Sequence, residues 1–247
     1  MARHSVCITL LLIVGWQFSP VVAAPDTVRF ATLDFAPYAL DKDSKRGFIV
    51  DMNAAISAKA GVEIVDVVMP IARLMKHLLR GQSDCSIFLL SPWSETNFTA
   101  VAEVHNRFDS IIITRKELII TRLEDLHGKL LALPRGSYKD FQIATDPKIR
   151  RHRTNGYEQS ARLLKNGRVD AIAGTALSIY YYLSNMEFNQ IEIGSVISFD
   201  HKPLWLHCAK QQLSENLIAR LRQATNSLRS EGVFLQLLDR YTPQNFR

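Results

Sequence analysis

The stretch LLRGQSDCSI at 78–87 returns, nearly intact, as LLKNGRVDAI at 163–172, with the two glycines 167 − 81 = 86 residues apart. Each copy holds a Leu-Leu pair, a basic residue, a Gly, an Asp and then a short apolar run. Gly commonly stops a helix by taking the left-handed conformation just past its end. The apolar run that follows reads as a buried strand. Helix, Gly turn, strand is the second half of a right-handed crossover unit. Two such units so far apart commit the chain to two α/β lobes.

Periodicity fills in the rest. Strands are expected at 27–33, 62–69, 84–90, 129–134, 151–155, 169–174 and 191–197, with helices at 49–61, 71–81, 137–144, 157–167 and 175–185 between them. Strands alternating with helices imply two parallel-type sheets with helical cover. Two more strands, 110–116 and 203–210, bracket the second lobe and form the only links between the lobes, a hinge around a cleft. The helical tail at 214–241, broken at Gly232, returns to the first lobe. Lobe 1 is thus expected at 24–113 and 204–247, and lobe 2 at 114–203.

The chain starts with a basic MARHS followed by VCITLLLIVGW and SPVVAA. That order of a charged start, a short apolar run and small residues reads as a secretory signal peptide over 1–23, cut after Ala23 with Val21 at −3. The apolar run falls short of the ~20 residues that a membrane span needs. An exported protein, placed in a bacterial periplasm, follows; Asn97-Phe98-Thr99 also fits a glycosylation sequon. Cleavage removes Cys7 and leaves Cys85 and Cys208, either as two buried thiols or as one disulfide. Neither has metal-ligand spacing with a Cys or His, and neither metal nor cofactor is expected. The formal charge of +6 falls to +5 on losing Arg3. KIRRHR at 148–153 is the one dense basic run and reads as a solvated face. Without a basic, aromatic-interleaved stripe, nucleic acid is not an expected partner, and a monomer is.

At this point the mature chain resembles a known family, the type II periplasmic solute-binding proteins, in particular the extracellular solute-binding group that serves amino-acid ABC transporters. FAPYALDKDSKRGFIVDM (35–52), MPIARLMKHLLRGQSD (69–84), LEDLHGKLLALPRGSY (123–138), LLKNGRVDAIAG (163–174) and LRSEGVFLQLLDRY (228–241) are similar to family positions and occur in the family's order. The resemblance implies ligand capture between two lobes by hinge closure, where strand ends and helix starts converge.

The resemblance also shows departures. Relatives that bind α-amino acids usually carry an Arg after the third strand, which grips the ligand carboxylate. In SPWSETNF (91–98) Ser94 stands there, and no Lys or Arg lies between Arg80 and Arg107. The Asp that would meet the ammonium is replaced by Gly174 or Thr175. Losing such charge-assisted bonds removes roughly 1.5–3 kcal/mol each, so an ordinary α-amino acid is a poor ligand. Phe35, Tyr38, Trp93 and Tyr138 are the candidate walls, and Ser91, Ser94, Ser137 and Thr175 the candidate neutral donors, which suits an aromatic or less polar solute. Phe35, Tyr38 and Trp93 could instead fill a lobe core, and Ser137 should also cap the next helix. Arg73 is the one cation that could replace the missing Arg. Asp51, Asp84 and Asp170 read as structural.

No catalytic motif stands out: there is no nucleophile elbow, no His-Glu-x-x-His, no P-loop and no dinucleotide fingerprint. Two alternatives to uptake remain. One is a binding protein that reports to a membrane sensor; the other is an enzyme on the same fold, similar to the cyclohexadienyl dehydratases.

Overall fold

The computed structural model describes residues 26–40, 46–139, 141–188 and 190–246. The signal-peptide reading and Cys7 lie outside these residues. The elements run β1 (Thr27–Leu33), α1 (Phe48–Ala60), β2 (Glu63–Met69), α2 (Ile71–Leu79), β3 (Cys85–Leu89), α3 (Pro92–Asn97) and β4 (Phe98–Arg115). They continue with β5 (Leu130–Pro134), α4 (Gln142–Thr145), β6 (Arg150–Thr154), α5 (Tyr157–Lys165), β7 (Ala171–Thr175), α6 (Ala176–Asn185), β8 (Ile193–Ala209), α7 (Glu215–Ser230) and α8 (Val233–Tyr241).

The two expected parallel groups are present, β2-β1-β3 and β7-β5-β6, but they are not separate sheets. Two long antiparallel strands, β8 and β4, lie between them and join everything into one eight-stranded sheet, in the order β2-β1-β3-β8-β4-β7-β5-β6. β4 runs 18 residues and β8 runs 17, so each passes through both halves. β8 fuses the expected strands 191–197 and 203–210, and β4 begins well before 110. The front of β4 escaped the pattern because its pairing with β8 is irregular between Ala100 and Phe108. Each bulge breaks the two-residue alternation by which a strand is read.

The buried side chains separate along these strands. Phe30, Phe48, Met52, Leu74, Ile87 and Phe108 belong to one core with α1, α2 and α7. Ile111 and Ile113 belong to a second with α5 and α6, and Ile112, Leu131 and Leu133 to a third on the other sheet face.

The sequence echo is one device used twice. Gly81 and Gly167 both end their helices at φ 64, a left-handed conformation that other residues adopt at a cost. Asp84 then accepts the N–H of Arg29 at 2.8 Å and pairs with its guanidinium at 2.7 Å. Asp170 accepts the N–H of Leu130 at 2.8 Å and pairs with Arg115 at 3.0 Å. In each half, the Asp after the Gly turn ties down the backbone of a neighbouring strand and an arginine. Asp51 is structural as well, accepting the Tyr241 hydroxyl of α8 at 2.9 Å.

Cys85 and Cys208 are directly opposite in the β3–β8 ladder and form a disulfide. Of the two sequence readings, the disulfide is the one the fold adopts.

Candidate functional site

The β1–α1 loop carries the first site residues. Its Pro37 and Tyr38 carbonyls accept the N–H groups of Phe48 and Ile49 at 2.7 and 3.1 Å. Those donors have no partner inside their own helix, so the loop is fixed to the start of α1. Gly47 permits this approach, since a Cβ there would stand 2.4 Å from the Tyr38 carbonyl oxygen. Tyr38 is thereby held at 3% exposure, its ring against Phe35 (4.7 Å), Phe48 (6.0 Å) and Phe108 (6.0 Å).

From the other half comes Tyr138. Gly136 and Tyr138 both have positive φ, 78° and 54°, so the chain turns here and helix α4 starts only at Gln142. Ser137 lies in this turn and does not cap the helix, contrary to the sequence reading; the residue before α4 is Phe141. The turn aims the Tyr138 hydroxyl at Ser110 Oγ of β4, 3.0 Å away.

Tyr157, which the sequence reading did not single out, completes the group. It opens α5 after Gly156, and its hydroxyl accepts the Thr175 N–H at 3.4 Å. Its ring fills the space beside Gly174, where a Cβ would lie 1.9 Å from Tyr157 Cε1. A glycine inside the apolar strand AIAGT was the available signal, because such a glycine often marks a close approach. Phe35 packs on Tyr157 at 5.6 Å and borders the first and second cores alike. Nearby, the Ala36 N–H donates to the Tyr182 hydroxyl of α6 at 3.2 Å.

Tyr38, Tyr138, Tyr157 and Thr175 therefore meet with Phe35 and Ser110 where the two halves join. Burial is the main force raising the pKa of all three phenols, so each is a neutral hydroxyl around neutral pH. The groups acting on them are Thr175, Ser110 and one another; among the described residues no charged side chain is included. A cavity of about 370 Å³ opens beside the cluster, lined among others by His105, Arg107, Phe108 and Asp109 of β4, Tyr180 of α6 and Leu238 of α8. That size is within the range of small-molecule sites.

The remaining candidates make other contacts. Ser91 and Ser94 cap α3 reciprocally, each hydroxyl accepting the other residue's N–H at 3.1 and 2.8 Å, and Ser94 is buried. Trp93 is 49% exposed with its ring edge on Phe98 at 5.5 Å. Arg73 is exposed on α2, whose buried residues are Leu74 and Leu78.

No protein-family model matches the chain, and no curated protein matches it either. Solved structures do. The substrate-binding protein of an amino-acid ABC transporter is 18% identical, with a TM-score of 0.69 over 87% of this chain and 98% of that one. A double mutant of the BvgS VFT2 domain from Bordetella pertussis is 20% identical, with a TM-score of 0.70 over 87% of this chain and 93% of that one. The ancestral amino-acid-binding protein AncCDT-1, a precursor of cyclohexadienyl dehydratase, is 19% identical, with a TM-score of 0.70 over 88% and 95% of the two chains. The chain therefore has the two-lobed fold of the type II periplasmic solute-binding proteins.

Proposed function

We propose that this protein captures a small organic solute between its two lobes by hinge closure, in the periplasm, and delivers it to an ABC-type importer. The lobes are residues 24–113 with 204–247, and 114–203; β4 and β8 are the hinge. The observation that carries the reading is the neutral aromatic junction of Phe35, Tyr38, Tyr138 and Tyr157 with the hydroxyls of Ser110 and Thr175. Rings and uncharged hydroxyls suit an aromatic or weakly polar solute. They carry no charge of their own to meet an α-carboxylate, and Arg107, which lines the adjoining cavity, is already paired with Asp109 at 2.9 Å.

The reading is of a binding protein and not of an enzyme. Proton transfer near neutral pH calls for a group that titrates there, and burial drives these phenols the other way. A second reading, in which the protein reports to a membrane sensor, draws on the self-filled junction: lobes that already meet through their own tyrosines need no guest to hold them together. Among the described residues, no helix is long and apolar enough to cross a membrane.

A thermal-shift screen tests the proposal. A ligand at 100 times its Kd adds about 2.7 kcal/mol, or about 5–11 °C for a chain of this size. Shifts from aromatic solutes and none from the common amino acids are expected. Micromolar binding of glutamate, arginine or glycine would overturn it, and a blank screen would favour the sensor reading.

A further inference from the structure

The sheet has two outer strands, and they are defended unequally. β6 carries Arg150, Arg151, His152 and Arg153 in succession, and charged side chains on an outer strand deter pairing with another chain. β2, at the opposite edge, reads EIVDVVM, with no Lys, Arg or Pro and an unbroken ladder to β1.

The two faces of β2 differ. Asp66 faces α1, and Asn53 of that helix and Thr32 of β1 each donate to its Oδ1 at 2.7 Å. By the alternation of a strand, Val65 and Val67 face the other way. They pair with Arg29 and Ala31, and Arg29 reaches the Gly81 carbonyl just past α2 at 3.1 Å. That contact identifies this face as the one α2 covers. Yet α2 turns Leu74 and Leu78 inward and leaves Val65 and Val67 at 41% and 45% exposure, with its own Ile71 and Leu79 at 47% and 51%. Four of the nine exposed large hydrophobics among the described residues thus fall within 65–79. Beside them, Arg73, Lys76 and Arg80 are exposed and outnumber the one exposed acid of β2, Glu63, and no acidic residue occurs from Pro70 to Gly81.

We propose that the β2 edge and α2 together form a docking surface for an acidic, partly apolar segment of another protein, which adds to β2 as a further strand. An open strand edge offers backbone donors and acceptors that an extended peptide satisfies and a lipid surface does not. The valines receive apolar side chains of the added strand, and the three cations select acidic ones. A second copy of this chain is disfavoured, because edge-to-edge pairing would bring two sets of those cations together.

Amide hydrogen exchange of the mature protein, with a short peptide alternating Glu and Val, tests this. The peptide is expected to slow exchange within 63–69, and to bind more weakly as salt is raised. Reversing the charges, Arg73→Glu with Lys76→Glu and Arg80→Glu, should weaken binding at least about tenfold. Guarding the edge with charge of the peptide's own sign, Val65→Glu with Val67→Glu, should abolish it. Each variant is first shown to melt cooperatively at the parental temperature; if the valine pair fails, Val65→Glu alone takes its place. Equal binding of a Lys-Val peptide, or no protection within β2, would overturn the proposal. So would protection that grows with protein concentration in the absence of peptide, or binding only to phosphatidylglycerol vesicles.

Discussion

Gly174→Ala adds a single methyl group to the most crowded point of the lobe junction. The new carbon would lie 1.9 Å from Tyr157 Cε1, 2.8 Å from Cζ and 2.9 Å from Cδ1, where ordinary contacts begin near 3.4 Å. Gly174 pairs regularly with Ile111 in the β4–β7 ladder, so the backbone itself accepts alanine. The whole penalty must then come from the ring. Tyr157 either stays and overpacks, at about 1–3 kcal/mol, or leaves and forfeits about 1.5–3 kcal/mol of burial. A loss of about 1–3 kcal/mol is expected, or about 2–12 °C in Tm. A double-mutant cycle isolates the cause. With Tyr157→Ala the ring is gone and the methyl enters vacated space, so Gly174→Ala should then cost less than about 0.5 kcal/mol. Urea denaturation of the four proteins measures the coupling. Equal costs in the two backgrounds, or a harmless Gly174→Ala alone, would refute the packing of Tyr157 against Gly174.

Three further outcomes follow from the same reasoning. His207 is wholly buried, stacked on Phe88 at 4.0 Å, and burial lowers its pKa to about 4. With a folded pKa below the unfolded one, its stabilising share is complete above about pH 6.5 and fades as pH falls toward 4, by about 2 kcal/mol already at pH 5; His207→Phe should remove that dependence from urea melts, and an unchanged slope would refute it. The disulfide spans 123 residues, for which loop entropy alone gives about 5 kcal/mol; replacing both cysteines by alanine should cost about 2–5 kcal/mol in thermal melts, and a smaller loss would contradict the stapling role. Asp84→Asn and Asp170→Asn should each cost about 1–3 kcal/mol by weakening charge-assisted bonds to strand and arginine, and the pair should add to within about 0.5 kcal/mol; a neutral result at either site would reduce the echo to coincidence.

The echo was readable because it is local: a helix, a left-handed glycine and an aspartate within ten residues produce the same contacts in each half. The long central strands were only half readable, since bulges between Ala100 and Phe108 erase the alternation that marks a strand. The junction was readable in part. Phe35, Tyr38, Tyr138 and Thr175 were marked by loops at strand ends, where sites of this architecture form. Tyr157 and Ser110 were not, because each is brought there by pairing and packing of distant segments. Ser91 and Ser94 offered free hydroxyls on paper, but in the fold each serves the backbone of the other. Ser137 failed as a helix cap because two left-handed positions, Gly136 and Tyr138, flank it and delay the helix.

The placement of β8 has a consequence for how the protein is made. β3 gains its second neighbour, and Cys85 its partner, only from residues 204–208, and the first core is closed only by α7 and α8. By then every strand of the other half has already emerged. Synthesis from the amino end must therefore leave the earlier half unfinished while the later-encoded one matures inside it. Any chaperone attending synthesis would find its client in the half that begins first and ends last.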